Sequence, residues 1–350
     1  MSAARLGVCL PSSAEGASPV TERVHGSFFS RLGSGGRCLA LSLCMTVAAS
    51  SQFARAAAPV PGAGVPVPQV GDDFEDPNWT YDANLPKNSA DIDHKSRNPG
   101  GRSRNGRWYE GTDRGQPDVV RRVDTPEGGI PGSTGALLIQ SRFTGIPGRP
   151  DGKRAQDDLF FGVRERLGQS ISVSRTPSVV VRVFLPPIEE WEQSTGSSFG
   201  FRATVRGLNE KKKETEPYWP GMFFRLNSSG DRNYKGNTAY LVIRASEPGG
   251  DYSKMPVKET GWWTLGMSFS PDGRIHYFAR PGVEDLTSAD RVASHYPYGF
   301  QCTQFINVFF DVFNRNDGQH WSTGWVIDDP TVYATNVNNL VRKPARSSTR

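Results

Sequence analysis

Arg202, Thr204 and Arg206 recur at every second position, so in a strand they project from one face. Tyr240 with Arg244, and Arg274 with His276, form further same-face pairs. Asn307 and Asp311 share a face with Phe305, Phe309 and Phe313, opposite Ile306, Val308, Phe310 and Val312. Laid side by side in one sheet, Arg202, Arg206, Tyr240, Arg244, Arg274, His276, Asn307 and Asp311 make a polar and aromatic ligand-contacting surface. Arginine pairs bidentately with carboxylate or sulfate, so the ligand such a surface suits is an acidic sugar. Tyr or His beside that anion could remove a proton, which is the chemistry of a lyase. The alternative is that one face of an antiparallel sheet is polar simply because it meets water.

Carboxylates also gather near both ends of the chain's middle region. Asp72, Glu75 and Asp328, with Asp73, Asp76 and Asp329 beside them, offer oxygen ligands to a structural calcium if the first and last strands are neighbours. Ordinary turn and edge carboxylates are the competing reading. A basic loop, His94–Arg107, holds Lys95, Arg97, Arg102, Arg104 and Arg107 and no acid; it is either a solvated loop or a lure for a polyanion. Tyr218, Trp219, Trp262, His320 and Trp321 are candidates for stacking on sugar rings, although core packing is the commoner fate of such rings.

The elements that would position these residues are strands. Phe199, Phe201, Ala203 and Val205 alternate with polar neighbours, as do Val179, Val181, Val183 and Leu185. Trp263, Leu265, Met267 and Phe269 lead into Ser270-Pro271-Asp272-Gly273 and a second run from Arg274 to Arg280, the pattern of a hairpin. Thirty-eight glycines and 26 prolines supply turns, and no amphipathic helix stands out. The predicted fold is all-β: an antiparallel two-sheet sandwich.

Arg31 and Arg37, the apolar run Cys38–Ala49 and Ala54-Arg55-Ala56 follow the order of a secretory signal, and the run is too short for a membrane span. Residues 1–56 are therefore expected to be removed on export, which places the mature chain outside the cytoplasm: secreted, periplasmic or on the cell surface, with no stable membrane insertion. Residues 57–70 read as a Pro/Ala-rich linker, 71–335 as the sandwich and 336–350 as a disordered basic tail. The net charge of +5 is concentrated in the two ends. The middle is about neutral, which argues against nucleic acid as a partner. Cys9, Cys38 and Cys44 lie in the segment expected to be lost, leaving Cys302 with no partner for a disulfide.

Three stretches resemble the concanavalin-A-like lectin/glucanase superfamily: Asp72-Asp73-Phe74-Glu75-Asp76 with Trp79 and Tyr81, similar to a first strand; the hairpin Gly261–Ala279; and Trp325–Tyr333, similar to a closing strand. The resemblance spans about residues 71 to 335 and implies a jelly-roll sandwich. It adds support for a calcium near the joined ends and points to a glycan partner. The glycosidases of that superfamily carry Glu-x-Asp-x-x-Glu on one strand, and no such motif stands here. The nearest cluster, Glu189, Glu190 and Glu192, sits between prolines and Ser/Gly residues and reads as a loop. No catalytic set is assigned. The leading expectation is a carbohydrate-binding, lectin-like domain for a polysaccharide, anionic by its arginines. The alternatives are a polysaccharide-degrading enzyme, a lyase before a glycoside hydrolase, and a structural or adhesive surface domain.

Overall fold

The computed structural model describes residues 58–97, 100–209, 212–337 and 340. The expected signal segment with Cys9, Cys38 and Cys44 lies outside the described residues, as does the basic tail apart from Asn336, Val337 and Leu340. All described elements belong to the compact unit Arg55–Arg350. No helix among the described residues is long and apolar enough to cross a membrane.

The described strands run in chain order as β1 (Val65–Gly71), β2 (Tyr81–Asp82), β3 (Arg102–Ser103), β4 (Trp108–Glu110), β5 (Val119–Asp124), β6 (Gly135–Gln140) and β7 (Arg154–Phe161). They continue as β8 (Ile171–Ser172), β9 (Ser178–Leu185), β10 (Ser198–Asn209), β11 (Glu214–Tyr218), β12 (Gly221–Asn227) and β13 (Thr238–Arg244). The last six are β14 (Tyr252–Val257), β15 (Gly261–Phe269), β16 (Ile275–Pro281), β17 (Arg291–His295), β18 (Phe300–Arg315) and β19 (Trp325–Ala334). They form two antiparallel sheets. The first has the order β17-β16-β15-β9-β19-β6-β5, with β1 on β19; the second has β14-β13-β12-β10-β18-β7-β4-β3-β2, with β11 on β10 and β8 on β18. This is the expected two-sheet jelly-roll sandwich.

Period-two patterning explains the layers. Phe199, Phe201, Ala203 and Val205 of β10 point inward and are fully buried, opposite Val179, Val181, Val183 and Leu185 of β9 in the facing sheet. Phe310 on β18 packs against Trp108, Phe199 and Phe201, with ring centroids 5.7, 5.9 and 5.7 Å away. The 261–281 hairpin forms as expected, Gly273 taking φ +82° in its turn.

Three expectations change. Residues 65–70, the end of the stretch read as linker, form β1 together with Gly71, and β1 pairs with β19. Pro66 and Pro68 lack an N–H, but β1 has only that one partner, and Val67 and Val70 are buried. The strand therefore precedes Asp72–Asp76, which is a loop held by its own side chains. Asp72 Oδ2 accepts from Trp79 Nε1 (3.0 Å), Trp108 Nε1 (2.7 Å) and Asn105 Nδ2 (2.9 Å), and Phe74 packs between both indoles. On β18 the register against β10 shifts between Thr204 and Val205. Ile306 is the extra residue of that bulge, so Phe305 turns into the core instead of sharing the face of Asn307.

Cys302 is 1% exposed, and burial pushes its thiol up to about 12. A thiolate-directed alkylating reagent is therefore expected to leave Cys302 unmodified in the folded chain and to modify it fully in denaturant, read by peptide mapping.

Candidate functional site

The outward face of the second sheet collects most of the expected residues, and the ladder register sets them in rows. One row runs Arg244, Gly221, Arg202, Phe309, Phe160, Tyr109, Arg102 across β13, β12, β10, β18, β7, β4 and β3. The next runs Val242, Phe223, Gly200, Asp311, Asp158, and a third runs Tyr240, Arg225, Ser198, Phe313, Gln156.

Rings and guanidinium groups stack along this face. Tyr109 lies on Phe160 (5.5 Å) and Phe160 on Phe309 (4.9 Å). The Arg202 guanidinium sits 4.8 Å from the Phe309 centroid and 5.7 Å from that of Phe223, and the Arg225 guanidinium lies 5.9 Å from the same Phe223 centroid. Two glycines make this possible. A Cβ on Gly221 would stand 2.5 Å from Arg202 Cγ, and one on Gly200 would stand 2.7 Å from the Phe223 ring and 3.0 Å from the Asp311 carboxyl carbon. Gly221, lacking a side chain, thus lets the Arg202 side chain lie over the strand between Arg202 and Arg244.

At the centre Arg202 Nη1 meets Asp311 Oδ2 at 3.1 Å, and Nη2 donates to the Trp219 carbonyl at 3.2 Å. Asp158 stands directly opposite Asp311 on β7, where facing Cβ atoms are about 5 Å apart. Burial, with the like charge of Asp158 beside it, pushes the Asp311 carboxyl up to about 7 despite Arg202. Burial pushes Asp158 up as well. One guanidinium is shared by two buried carboxylates, so one carboxyl of the pair keeps a proton well above the usual carboxylate range. Arg202 Nε and Asp311 Oδ1 are buried without a hydrogen-bond partner in the protein.

The rim beside Arg244 carries a phenol. Arg244 Nε donates to Tyr298 Oη at 2.8 Å, and Arg244 Nη1 lies 3.6 Å from Asp251 Oδ2. Trp219 is 41% exposed at the turn that leads into β12. The basic loop flanks the far edge through Arg102 on β3, with Arg97 paired to Asp93 at 2.8 Å.

Of the eight expected ligand residues, Arg202, Arg206, Tyr240, Arg244, Asn307 and Asp311 share this face. Arg206 is exposed at its end, next to the bulge. Asn307 is spent on the protein: its Oδ1 accepts from the Val163 and Arg164 N–H groups, and its Nδ2 donates to Tyr109 Oη. Arg274 and His276 do not join them. They belong to the β15–β16 hairpin of the other sheet, because the hairpin's next-door neighbours are β9 and β17. Tyr218 and Trp262 are buried in packing, whereas Trp219 and Trp321 stay exposed. Glu192 accepts from Ser197 Oγ and the Arg315 N–H, a loop-holding role.

Sequence reading missed Asp158, Phe160, Tyr109, Phe223 and Tyr298. The signal for Asp158 was present: two adjacent aspartates in the strand RAQDDLFF must point to opposite faces. Asp157 turns inward to Lys87 (2.6 Å), and Asp158 turns outward.

Each of the three expected metal ligands is hydrogen-bonded within the protein. The Asp72 oxygen in play already takes three N–H donors. Glu75 Oε1 accepts from the Thr134 and Gly135 N–H groups and Oε2 from Thr134 Oγ1. Asp328 Oδ2 accepts from Ser133 Oγ at 2.8 Å. Among the described residues no group of three His, Cys, Asp or Glu side chains could hold a metal.

Burial, with Asp329 and Glu75 nearby, pushes Asp328 up to about 7 from its ordinary 3.8. The folded chain then holds a proton that the unfolded chain releases, so this group's share of stability is present at low pH and lost as pH rises from about 4 to 7. The loss is at most about 1.4 kcal/mol per pH unit. Asp328→Asn is expected to flatten the fall in melting temperature over that window and to change little near pH 4, as followed by thermal scans.

No family model matches the chain, and no curated protein matches it. Solved structures do. The conserved carbohydrate esterase of the Shiga toxin-encoding bacteriophage phi24B is 8% identical, with TM-score 0.41, covering 76% of this chain and 98% of that one. The PL7 alginate lyase AlyA1 of Zobellia galactanivorans is 11% identical, with TM-score 0.38, covering 73% and 95%. The endo-β-1,4-glucuronan lyase of Trichoderma reesei is 13% identical, with TM-score 0.34, covering 67% and 96%.

Proposed function

We propose that the chain acts on a uronate-containing polysaccharide and cleaves it by β-elimination on the outward face of the second sheet. The observation that carries this reading is the Tyr298 phenol, held at 2.8 Å by Arg244 in the row of Arg202. A phenol beside a guanidinium can pass protons, because the cation offsets charge that appears on the oxygen. Arg202 and Arg244 share one row beside the protonatable Asp311, a set of charges that suits a sugar carboxylate. Neutralising that carboxylate makes the proton on the neighbouring ring carbon acidic. The proton leaves to the base, a double bond forms between that carbon and the next, and the glycosidic C–O bond breaks with the leaving oxygen taking a proton. Tyr298 is the side chain we assign to this proton transfer. The stacked rings and the exposed Trp219 offer sugar-facing surface along the same path.

A binding-only, lectin-like role is the second reading. One observation favours it: Arg202 is only 6% exposed and already engaged by Asp311 and the Trp219 carbonyl.

Affinity electrophoresis on alginate, pectin and sulfated glycans beside neutral glucans tests the anionic-polymer part shared by both readings. Retardation by the charged polymers that fades with added salt is expected. Equal retardation by neutral polymers would overturn it.

A further inference from the structure

A second cleft lies elsewhere, against the β15–β16–β17 side of the first sheet. It measures about 1160 Å³ and is lined by Ser270, Asp272, Arg274, His276, Arg291 and Ser294, among others. Its polar groups form a chain. Ser294 is the direct cross-strand partner of His276, and its Oγ lies 2.7 Å from His276 Nδ1. His276 Nε2 lies 2.9 Å from Ser270 Oγ. Ser270 Oγ in turn hydrogen-bonds Asp272 Oδ1, within the Ser-Pro-Asp-Gly turn that the sequence marks.

The direction of this chain follows from donor counting. Burial opposes charge on Asp272, yet the Ser270 hydroxyl, the Arg274 N–H and the Arg274 charge together hold its carboxyl below the usual range. Asp272 is therefore an acceptor. Besides His276, the partners of Ser270 Oγ are Asp272 and the Arg274 carbonyl, both acceptors, so its single proton goes to one of them. Toward His276 the Ser270 oxygen can only accept. That fixes the proton of a neutral imidazole on Nε2 and leaves Nδ1 as an acceptor for the Ser294 hydroxyl. His276 is 4% exposed and Ser294 half-buried at the cleft wall. The order is a hydroxyl, a base that takes its proton, and an orienting carboxylate reached through one intervening hydroxyl.

We propose that this cleft is an acyl-transfer site for carboxylic esters, with Ser294 as nucleophile, His276 as general base, and Ser270 and Asp272 as positioning residues. Ser294 Oγ bonds to the ester carbonyl carbon while its proton moves to His276 Nδ1. The carbon–alkoxy bond breaks, and the alcohol leaves with that proton. Water then attacks the acyl-serine in the same way, releasing the acid and restoring the Ser294 hydroxyl. Arg274 and Arg291 line the cleft and supply cations for the oxygen that becomes negative. This site is independent of the polysaccharide face.

The test treats the full chain with a fluorophosphonate probe and maps the labelled peptide. Labelling of Ser294 in the folded protein is expected, with hydrolysis of p-nitrophenyl acetate lost in Ser294→Ala. His276→Gln is expected to slow labelling at least about 100-fold and to leave retardation on charged polysaccharide gels unchanged. Peptide mapping of the unsubstituted chain decides the matter even if a variant does not fold. No label on Ser294, or a rate indifferent to His276→Gln in folded protein, would overturn the proposal.

Discussion

Arg202→Ala is expected to destabilise the sandwich by about 3–5 kcal/mol, because it leaves a buried carboxylate pair without its cation. Arg202 and Asp311 are 6% and 1% exposed, so water cannot replace the lost partner. Asp158, opposite Asp311, adds like-charge repulsion across the ladder. Removing the guanidinium also empties the place between the Phe309 and Phe223 rings. The penalty should shrink below pH 7, where Asp311 with its raised value takes up a proton. Asp311→Asn in the same chain should recover part of the loss, since the neutral amide needs no counter-ion. Urea unfolding of the two single variants and the double variant measures both statements through a double-mutant cycle. A midpoint for Arg202→Ala equal to that of the unsubstituted chain at pH 8 would mean that the cluster is not a buried ion pair.

Tyr298→Phe is expected to lower polymer cleavage at least about 100-fold, the low end of what a positioned proton-transfer group contributes. The ring is retained, so its edge-on contacts with Tyr218 (6.3 Å) and its packing near Phe300 persist. Only the oxygen that accepts from Arg244 is lost, and Arg244 keeps Asp251 within 3.6 Å. Stability should therefore change little, and polymer binding should persist while turnover falls. That split between KM and kcat separates a role in chemistry from a role in folding. Arg244→Lys is a companion: a lysine keeps the charge but cannot hold the phenol in the same planar geometry, so turnover should fall less than with Tyr298→Phe.

The layers were legible in the sequence because burial writes a period of two into β9, β10 and β15, where Val179 to Leu185, Phe199 to Val205 and Trp263 to Phe269 place an apolar side chain at every second position. The grouping of Arg202, Tyr240, Arg244 and Asp311 on one face was legible for the same reason. What was not legible depends on register between distant strands. Asp158 faces Asp311, 153 positions later in the sequence, only because β7 pairs with β18, and nothing local specifies that alignment. The bulge at Ile306 adds one residue without a glycine or proline to mark it, so Phe305 reads as outward and lies inward. Arg274 and His276 show the same limit at the level of sheets. Their alternation was visible, but which of two sheets the hairpin joins was not. Tyr298 lies on a short turn with φ +59°, outside any periodic pattern. β1 was hidden by prolines that suit a linker equally well. Asp72 reads as a metal ligand by type, and only the structure shows its oxygen filled by two indoles and an amide.

The most direct test of the central claim is the release of unsaturated sugar ends from polyuronates. The full chain is incubated with alginate, pectin and glucuronan, and with neutral glucans as controls, while ultraviolet absorbance and reducing ends are followed together. The account predicts absorbance rising in step with new reducing ends on at least one uronate polymer, none on neutral glucans, and near-total loss in Tyr298→Phe. New reducing ends without absorbance would indicate hydrolysis, and binding without new ends of either kind would make the face a lectin surface; either result would contradict β-elimination on this sheet.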